Sequence, residues 1–225
     1  MLLGFCRSPV IKGTAFLFKG DNMLWKRNID SNIKSVELRS SPVIIRVNKF
    51  DEKSAKEFAD KMASAHNTGQ SVIPVIIDSY GGQVYSLMSM IATIKNSELP
   101  VATIVEGKAM SCGVILFSCG TEGYRYITED ATLMIHDVSS ASWGKNSEIQ
   151  ASAEEVKRLN EKIYKILSAN SNKSEKWFNK QLNEKGRADW FIESKEAIDL
   201  GLADKVGMPK LEINIKLDIN LQEVT

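Results

Sequence analysis

The chain has too few cysteines and histidines for two whole classes of protein. Three cysteines, Cys6, Cys112 and Cys119, are spread over 225 residues with no CxxC spacing. An odd and sparse set fits a reducing compartment better than a disulfide framework. Only His66 and His136 could join them, which argues against a zinc site. No residue pattern calls for a cofactor. An excess of charge of one sign is also missing: 29 basic and 28 acidic residues are interspersed, for a formal net charge of +1. That balance offers neither a stripe for nucleic acid nor a polybasic membrane anchor. No apolar run is long enough to cross a bilayer. The opening Met1-Leu2-Leu3-Gly4-Phe5-Cys6-Arg7 lacks a charged leader ahead of a longer apolar core, so it does not read as a signal peptide. Repeats and low-complexity tracts are absent. The expectation is a cytoplasmic protein with one well-filled core, which 225 residues at 43% hydrophobic content can supply.

What is present is an alternation of strand-like and helix-like segments. Residues 1–41 are the least regular part, with Thr14 to Phe18 as one candidate strand. From there Val43 to Val47 reads as a strand, and Ala55, Phe58, Ala59, Met62 and Ala65 fall at helical spacing before Asn67-Thr68-Gly69. Val72 to Asp78 is a second strand, with Pro74 suggesting a local edge or bulge. Gln83 to Lys95 is apolar nearly all round, as a buried helix is. Val101 to Val105 is a third strand, Cys112 to Ser118 a short apolar helix, and Tyr124 to Ile127 and Thr132 to His136 are further strands. Such alternation predicts stacked α/β layers with ligands near strand ends.

Residues 147–168 form the clearest helix. Ile149, Val156, Leu159, Ile163 and Ile166 make a narrow stripe, and Glu154 with Arg158 and Glu161 with Lys165 are acid-first pairs four apart. The pattern fits an amphipathic surface helix or one projecting toward a partner. Ser174 caps a helix carrying Trp177, Phe178 and Leu182. Trp190-Phe191-Ile192 is an apolar landing, and Ser194 to Leu200 a last short helix before Gly201. The tail alternates Leu211, Ile213, Ile215, Leu217, Ile219 and Leu221, as a half-buried strand does.

Two glycine-flanked turns carry the chemistry: Asp78-Ser79-Tyr80-Gly81-Gly82 and Ala109-Met110-Ser111-Cys112-Gly113. A serine crowded by small residues at a strand-to-helix turn can project its oxygen into a cleft, so Ser111 is the candidate nucleophile. His136, at the end of an apolar strand, is the candidate base. His66, at a helix terminus beside Asn67, reads as a capping or solvated histidine. The third member must be a carboxylate that fixes the imidazole tautomer. Asp137 neighbours His136 on a strand and so points to the opposite face. Asp130 reads as a turn residue, which leaves Asp189 as the best distal candidate. The amides of Gly81 and Cys112 are candidate oxyanion donors. Cys112 as a thiol nucleophile and Lys108 as an amine base are weaker choices. The order Ser, His, Asp differs from the α/β-hydrolase order, in which the acid precedes the histidine.

These segments together resemble the proteolytic subunit of the Clp protease. Ser79-Tyr80-Gly81-Gly82 is similar to its Ser-Pro-Gly-Gly turn, and Ala109 to Gly113 to its nucleophile segment. Met134-Ile135-His136 matches its Met-Ile-His. Asp189-Trp190-Phe191-Ile192, followed by Glu196-Ala197 and Gly201-Leu202-Ala203-Asp204, resembles the segment carrying its aspartate. The resemblance implies an α/β, ClpP/crotonase-like spiral of ββα units. It implies a protease domain over 42–207; residues 1–41 depart from the family as a divergent segment, and 208–225 read as an added C-terminal strand extension. It also implies the triad Ser111, His136 and Asp189, with oxyanion amides from Gly81 and Cys112. Residues 147–168 would be the handle helix joining stacked rings, heptameric or tetradecameric in all. Unfolded polypeptide would be the substrate, delivered by an AAA+ unfoldase. Tyr80 replaces the family's proline, and Ser139-Ser140-Ala141-Ser142 lacks its glycine pair. A phage head-maturation protease of similar fold and a crotonase-type acyl-CoA enzyme are the rival expectations.

Overall fold

A computed structural model describes residues 42–186 and 189–210. The expected strand at Thr14 to Phe18 and the alternating tail from Leu211 lie outside them. The first element, β1 (Ile45–Val47), leads to α1 (Glu52–His66). Asp51 starts that helix: its carboxylate accepts the Ser54 N–H at 2.7 Å while Ser54 Oγ accepts the Asp51 N–H at 2.9 Å. This reciprocal cap satisfies two otherwise orphaned donors. The helix buries Ala55, Phe58, Met62 and Ala65, four of the five positions its spacing singles out. His66 closes it, its ring bonded to the Met62 carbonyl at 2.7 Å.

β2 (Ile73–Ser79), α2 (Val84–Lys95), β3 (Val101–Met110) and α3 (Cys112–Ser118) follow, then β4 (Arg125–Ile127) and β5 (Thr132–Ile135). The chain continues through α4 (Asn146–Ala169), α5 (Glu175–Glu184), β6 (Trp190–Glu193), α6 (Ser194–Asp199) and β7 (Lys205–Val206). The described strands form one sheet. Its main path, β1-β2-β3-β4-β7, is parallel throughout; β5 also pairs parallel with β3, and β6 joins β5 antiparallel. Parallel strands need helical crossovers, and the buried runs of β2 and β3 are nearly continuously apolar because helices cover them. This is the mixed α/β architecture of the ClpP/crotonase fold.

Pro74 takes the local-edge reading rather than the bulge, in an inner strand opposite Ala102, and two other local expectations change. The Ile73 N–H bonds to the Pro100 carbonyl on the β3 side. Successive residues alternate sides, so the proline nitrogen faces β1, where pairing begins only at Val75. The register irregularity falls instead between Ile77 and Ser79. β3 runs on past Val105 through Gly107 to Met110, because β5 pairs with its second half from Lys108. On α4, Arg158 binds Glu155 at 2.7 and 2.8 Å rather than Glu154. Glu155 also receives the Tyr85 hydroxyl from α2, and these partners hold its carboxyl down at about 2.

An ion pair ties the end of the chain's described part to the sheet. Arg125, 7% exposed on β4, reaches both oxygens of Asp204, at 3.0 and 2.6 Å, and the Asn170 carbonyl at 2.5 Å. Burial raises the Asp204 pKa, and the hydrogen bonds from Arg125 outweigh it, so the group lies below the ordinary carboxylate value. Arg125→Ala should cost about 3 kcal/mol, since it strands a partly buried carboxylate and a carbonyl. The pair's contribution is fully present above the ordinary carboxylate pKa near 4 and fades as pH falls through the lower folded value. Thermal melting across pH 2.5 to 7 should therefore show a flatter acid limb for Asp204→Asn than for the wild type. Among the described residues no helix is long and apolar enough to cross a membrane.

Candidate active site

The strongest backbone signal in the described residues is at Ser111. Its φ is 54° and ψ −120°, and no other described non-glycine residue has a positive φ. Such a conformation costs about 1–3 kcal/mol and persists only where its surroundings enforce it. Here β3 ends at Met110 and α3 starts at Cys112, so Ser111 is the whole turn. Its N–H is fixed to the Met134 carbonyl at 2.8 Å. Small neighbours make the turn possible: a Cβ on Gly113 would meet the Ser79 carbonyl at 3.4 Å, and one on Gly81 would lie 2.8 Å from Ser111 Cβ.

The same β3–β5 pairing brings His136 near. Met110 is in register with Met134. One further step puts Ser111 beside Ile135, the residue before the histidine. Ser111, Cys112, His136, Gly82, Val84, Ile115, Ile135, Val138, Ser139 and Ile163 line one pocket. Its volume of about 50 Å³ suits a single side chain. Half of the residues in its wall are branched aliphatic, and the rest are small or polar.

Asp189 reaches His136 through the antiparallel β5–β6 pair. Ile135 is opposite Trp190, so the next positions outward, His136 and Asp189, face each other. His136 Nδ1 and Asp189 Oδ1 are 3.9 Å apart, longer than a formed hydrogen bond. The Asp189 side chain is 54% exposed, so solvent competes for its oxygens. Asp137 is engaged elsewhere, accepting the Tyr164 hydroxyl from α4. Asp130 is an exposed turn residue.

The two candidate oxyanion amides differ. Cys112 supplies the first N–H of α3, which has no acceptor within its helix. The residue is 2% exposed, and its thiol donates to the Gly82 carbonyl at 3.2 Å. Burial pushes that thiol up to about 11, which disfavours a thiolate nucleophile at neutral pH. Gly81 has φ +108° and stands against Ser111. Its N–H donates to Ser79 Oγ at 3.1 Å, so an oxyanion must share or displace that bond. Ser79 carries no sign of this part in the sequence of its turn. Its complete burial, 0% exposed, follows from pairing opposite Ala109 beyond the β2 irregularity, which no local pattern announces.

Lys108, the alternative base, is committed to other partners. Its ammonium lies 2.8 Å from Asp78 Oδ1 and 4.5 Å from the centre of the Tyr80 ring. The Asp78 hydrogen bond raises its pKa, which opposes a role as a neutral amine. Tyr80 itself is 74% exposed. Among the described residues, no group of three or more His, Cys, Asp or Glu could hold a metal ion.

A sheet of this topology with a strained serine elbow, a histidine at the adjacent strand end and a carboxylate opposite defines an α/β arrangement suited to acyl transfer. The family comparison agrees: the Clp protease model matches residues 27–210, and the chain belongs to that family. Its members are serine peptidases, and membership implies an oligomeric peptidase of the same kind.

Proposed function

We propose that this protein is a self-compartmentalising serine endopeptidase that cleaves unfolded polypeptide through Ser111, His136 and Asp189. His136 takes the Ser111 proton as Oγ attacks the scissile carbonyl, and Asp189 orients the imidazole through Nδ1 and stabilises its cationic form. The 3.9 Å separation closes when substrate excludes water, as catalytic contacts that are long in the free enzyme commonly do. The Gly81 and Cys112 amides receive the oxyanion, with Ser79 yielding the first of them. His136 then protonates the leaving amine, and water, activated by the same imidazole, releases the acyl-enzyme.

The protease domain is assigned to 42–207, and the family match reaches a little beyond it on both sides, over 27–210. Stacked rings are joined through α4, whose first half stands away from the core: Ile149 is 43% exposed, and Trp143 just before the helix is 87% exposed. An AAA+ unfoldase feeds the chamber. The observation that supports the chemistry best is the positive-φ serine sharing a pocket with the histidine.

The test is reaction with a fluorophosphonate, followed by peptide mapping, alongside casein and peptide hydrolysis. Stoichiometric labelling at Ser111 with parallel loss of proteolysis is expected. Turnover of an acyl-CoA by protein that takes no label would overturn the reading.

A further inference from the structure

We propose that Asn160 and Tyr164 of α4 are positioning residues for the His136 imidazole, acting by clamping the two residues that follow it. The inference rests on His136 being the catalytic base, as read above. β5 ends at Ile135, and regular structure resumes only at Asn146. The sheet therefore fixes the histidine from its N-terminal side alone. On the other side the chain leaves the sheet, and two contacts catch it at once. Asn160 Oδ1 accepts the Val138 N–H at 2.7 Å. The Tyr164 hydroxyl donates to Asp137 Oδ1.

The two side chains stand four apart, on one face of the helix. Ile163 beside them lines the substrate pocket, as do Val138 and Ser139 from the clamped segment. The helix is rigidly seated here: Leu159 and Ile163 are 6% exposed, Tyr164 4% and Leu167 0%. Gripping the backbone at 137 and 138 limits rotation about the His136 main chain, and so sets where its ring points. It also explains the fate of Asp137. Its carboxylate accepts the Tyr164 hydroxyl on the helix, while Asp189 faces Nδ1. One face of α4 thereby fixes the base, binds the nearby acid and supplies part of the pocket wall.

The experiment uses the full-length assembled protein with three substitutions, Tyr164→Phe, Asn160→Leu and Asn160→Asp. Tyr164→Phe keeps the buried ring and removes only the hydroxyl. Asn160→Asp keeps an acceptor for the Val138 N–H. The readouts are the rate of fluorophosphonate labelling at Ser111, kcat and KM for a small fluorogenic peptide, native mass and melting temperature. Misplacing a catalytic group by a fraction of its reach should lower kcat and the labelling rate by about tenfold or more in Tyr164→Phe and Asn160→Leu. KM should stay within about twofold, because the lost interaction serves the transition state. Asn160→Asp should remain near the wild-type rate. Wild-type labelling and turnover in both Tyr164→Phe and Asn160→Leu would overturn the clamp, as would an effect on KM alone, or Asn160→Asp failing as badly as Asn160→Leu. Should Asn160→Leu not fold, Tyr164→Phe decides. A wild type that takes no label at Ser111 refutes the functional reading, and the clamp with it. Equal labelling of wild type and variants refutes the clamp alone.

Discussion

Replacing Ser111 by alanine will lower kcat for peptide hydrolysis by about 10⁴- to 10⁶-fold while leaving the fold in place. The fold survives because the contact that builds the turn is made by the backbone: the Ser111 N–H bonds to the Met134 carbonyl at 2.8 Å, and alanine keeps it. Alanine also meets the same steric limits as serine at φ 54°, so the strain is unchanged. What disappears is the oxygen. The residual rate is that of oxyanion stabilisation and substrate binding acting on water. His136→Ala should fall to a similar level, and the double variant should be little worse than either, because groups that act as a unit are not additive. Initial rates on casein and a fluorogenic peptide, with native mass as the assembly control, measure this. A Ser111→Ala protein that cleaves at the wild-type rate would remove the nucleophile from the scheme.

Much of this site was legible because its parts are marked by local chemistry. Small residues around Ser111 announce a tight elbow, and a histidine ending an apolar strand announces a strand-end position. The pairing of His136 with Asp189 was harder. It depends on β6 running antiparallel to β5 with Ile135 opposite Trp190, a register between segments 55 residues apart. The sequence shows Trp190-Phe191-Ile192 as an apolar landing, and only a partner strand turns it into an ordered edge. β3 was under-read for the same reason. Gly107 and Lys108 break the apolar run after Val105, yet pairing of Lys108 and Ala109 with Thr132 and Leu133 carries the strand onward. Helices fared best: the buried face of α1 follows its spacing, since the helix meets its core along one stripe. Surface charge was read less well. Glu154 and Glu155 stand equally ready for Arg158 in the sequence, and Tyr85 from α2 joins the latter. Ser79, Asn160 and Tyr164 carry no local signature at all. Their partners are backbone atoms and a carboxylate that only the assembled sheet and α4 bring within reach.

Gly81→Ala will silence the enzyme almost as thoroughly as loss of the nucleophile, by crowding rather than by removing a reactive group. At φ +108° an alanine is strained from the outset, at a cost of about 1–3 kcal/mol. Its Cβ would also sit 2.8 Å from Ser111 Cβ, 3.1 Å from the Met110 carbonyl and 3.2 Å from Ser111 Oγ. Two of these atoms belong to Ser111 and the third to the strand end that holds it. The crowding can be relieved in two ways. Either the serine side chain is displaced, which spoils attack, or the Gly81 peptide rotates, which turns its N–H away from the oxyanion. Loss of one such donor alone costs about 10²- to 10³-fold in kcat, and a displaced hydroxyl adds to that. Gly123→Ala separates backbone strain from crowding. Gly123 has φ +83°, and a Cβ there meets nothing within 4 Å. It should lower the melting temperature slightly and leave peptide hydrolysis intact. Gly82→Ala, whose Cβ would run into the Phe50 carbonyl, should instead disrupt the bridge between Phe50 and Gly82 and lower stability outright. The measurement is kcat, fluorophosphonate labelling and melting temperature for all three. A Gly81→Ala protein that labels and cleaves at the wild-type rate would show that this turn does not form the wall of the oxyanion site.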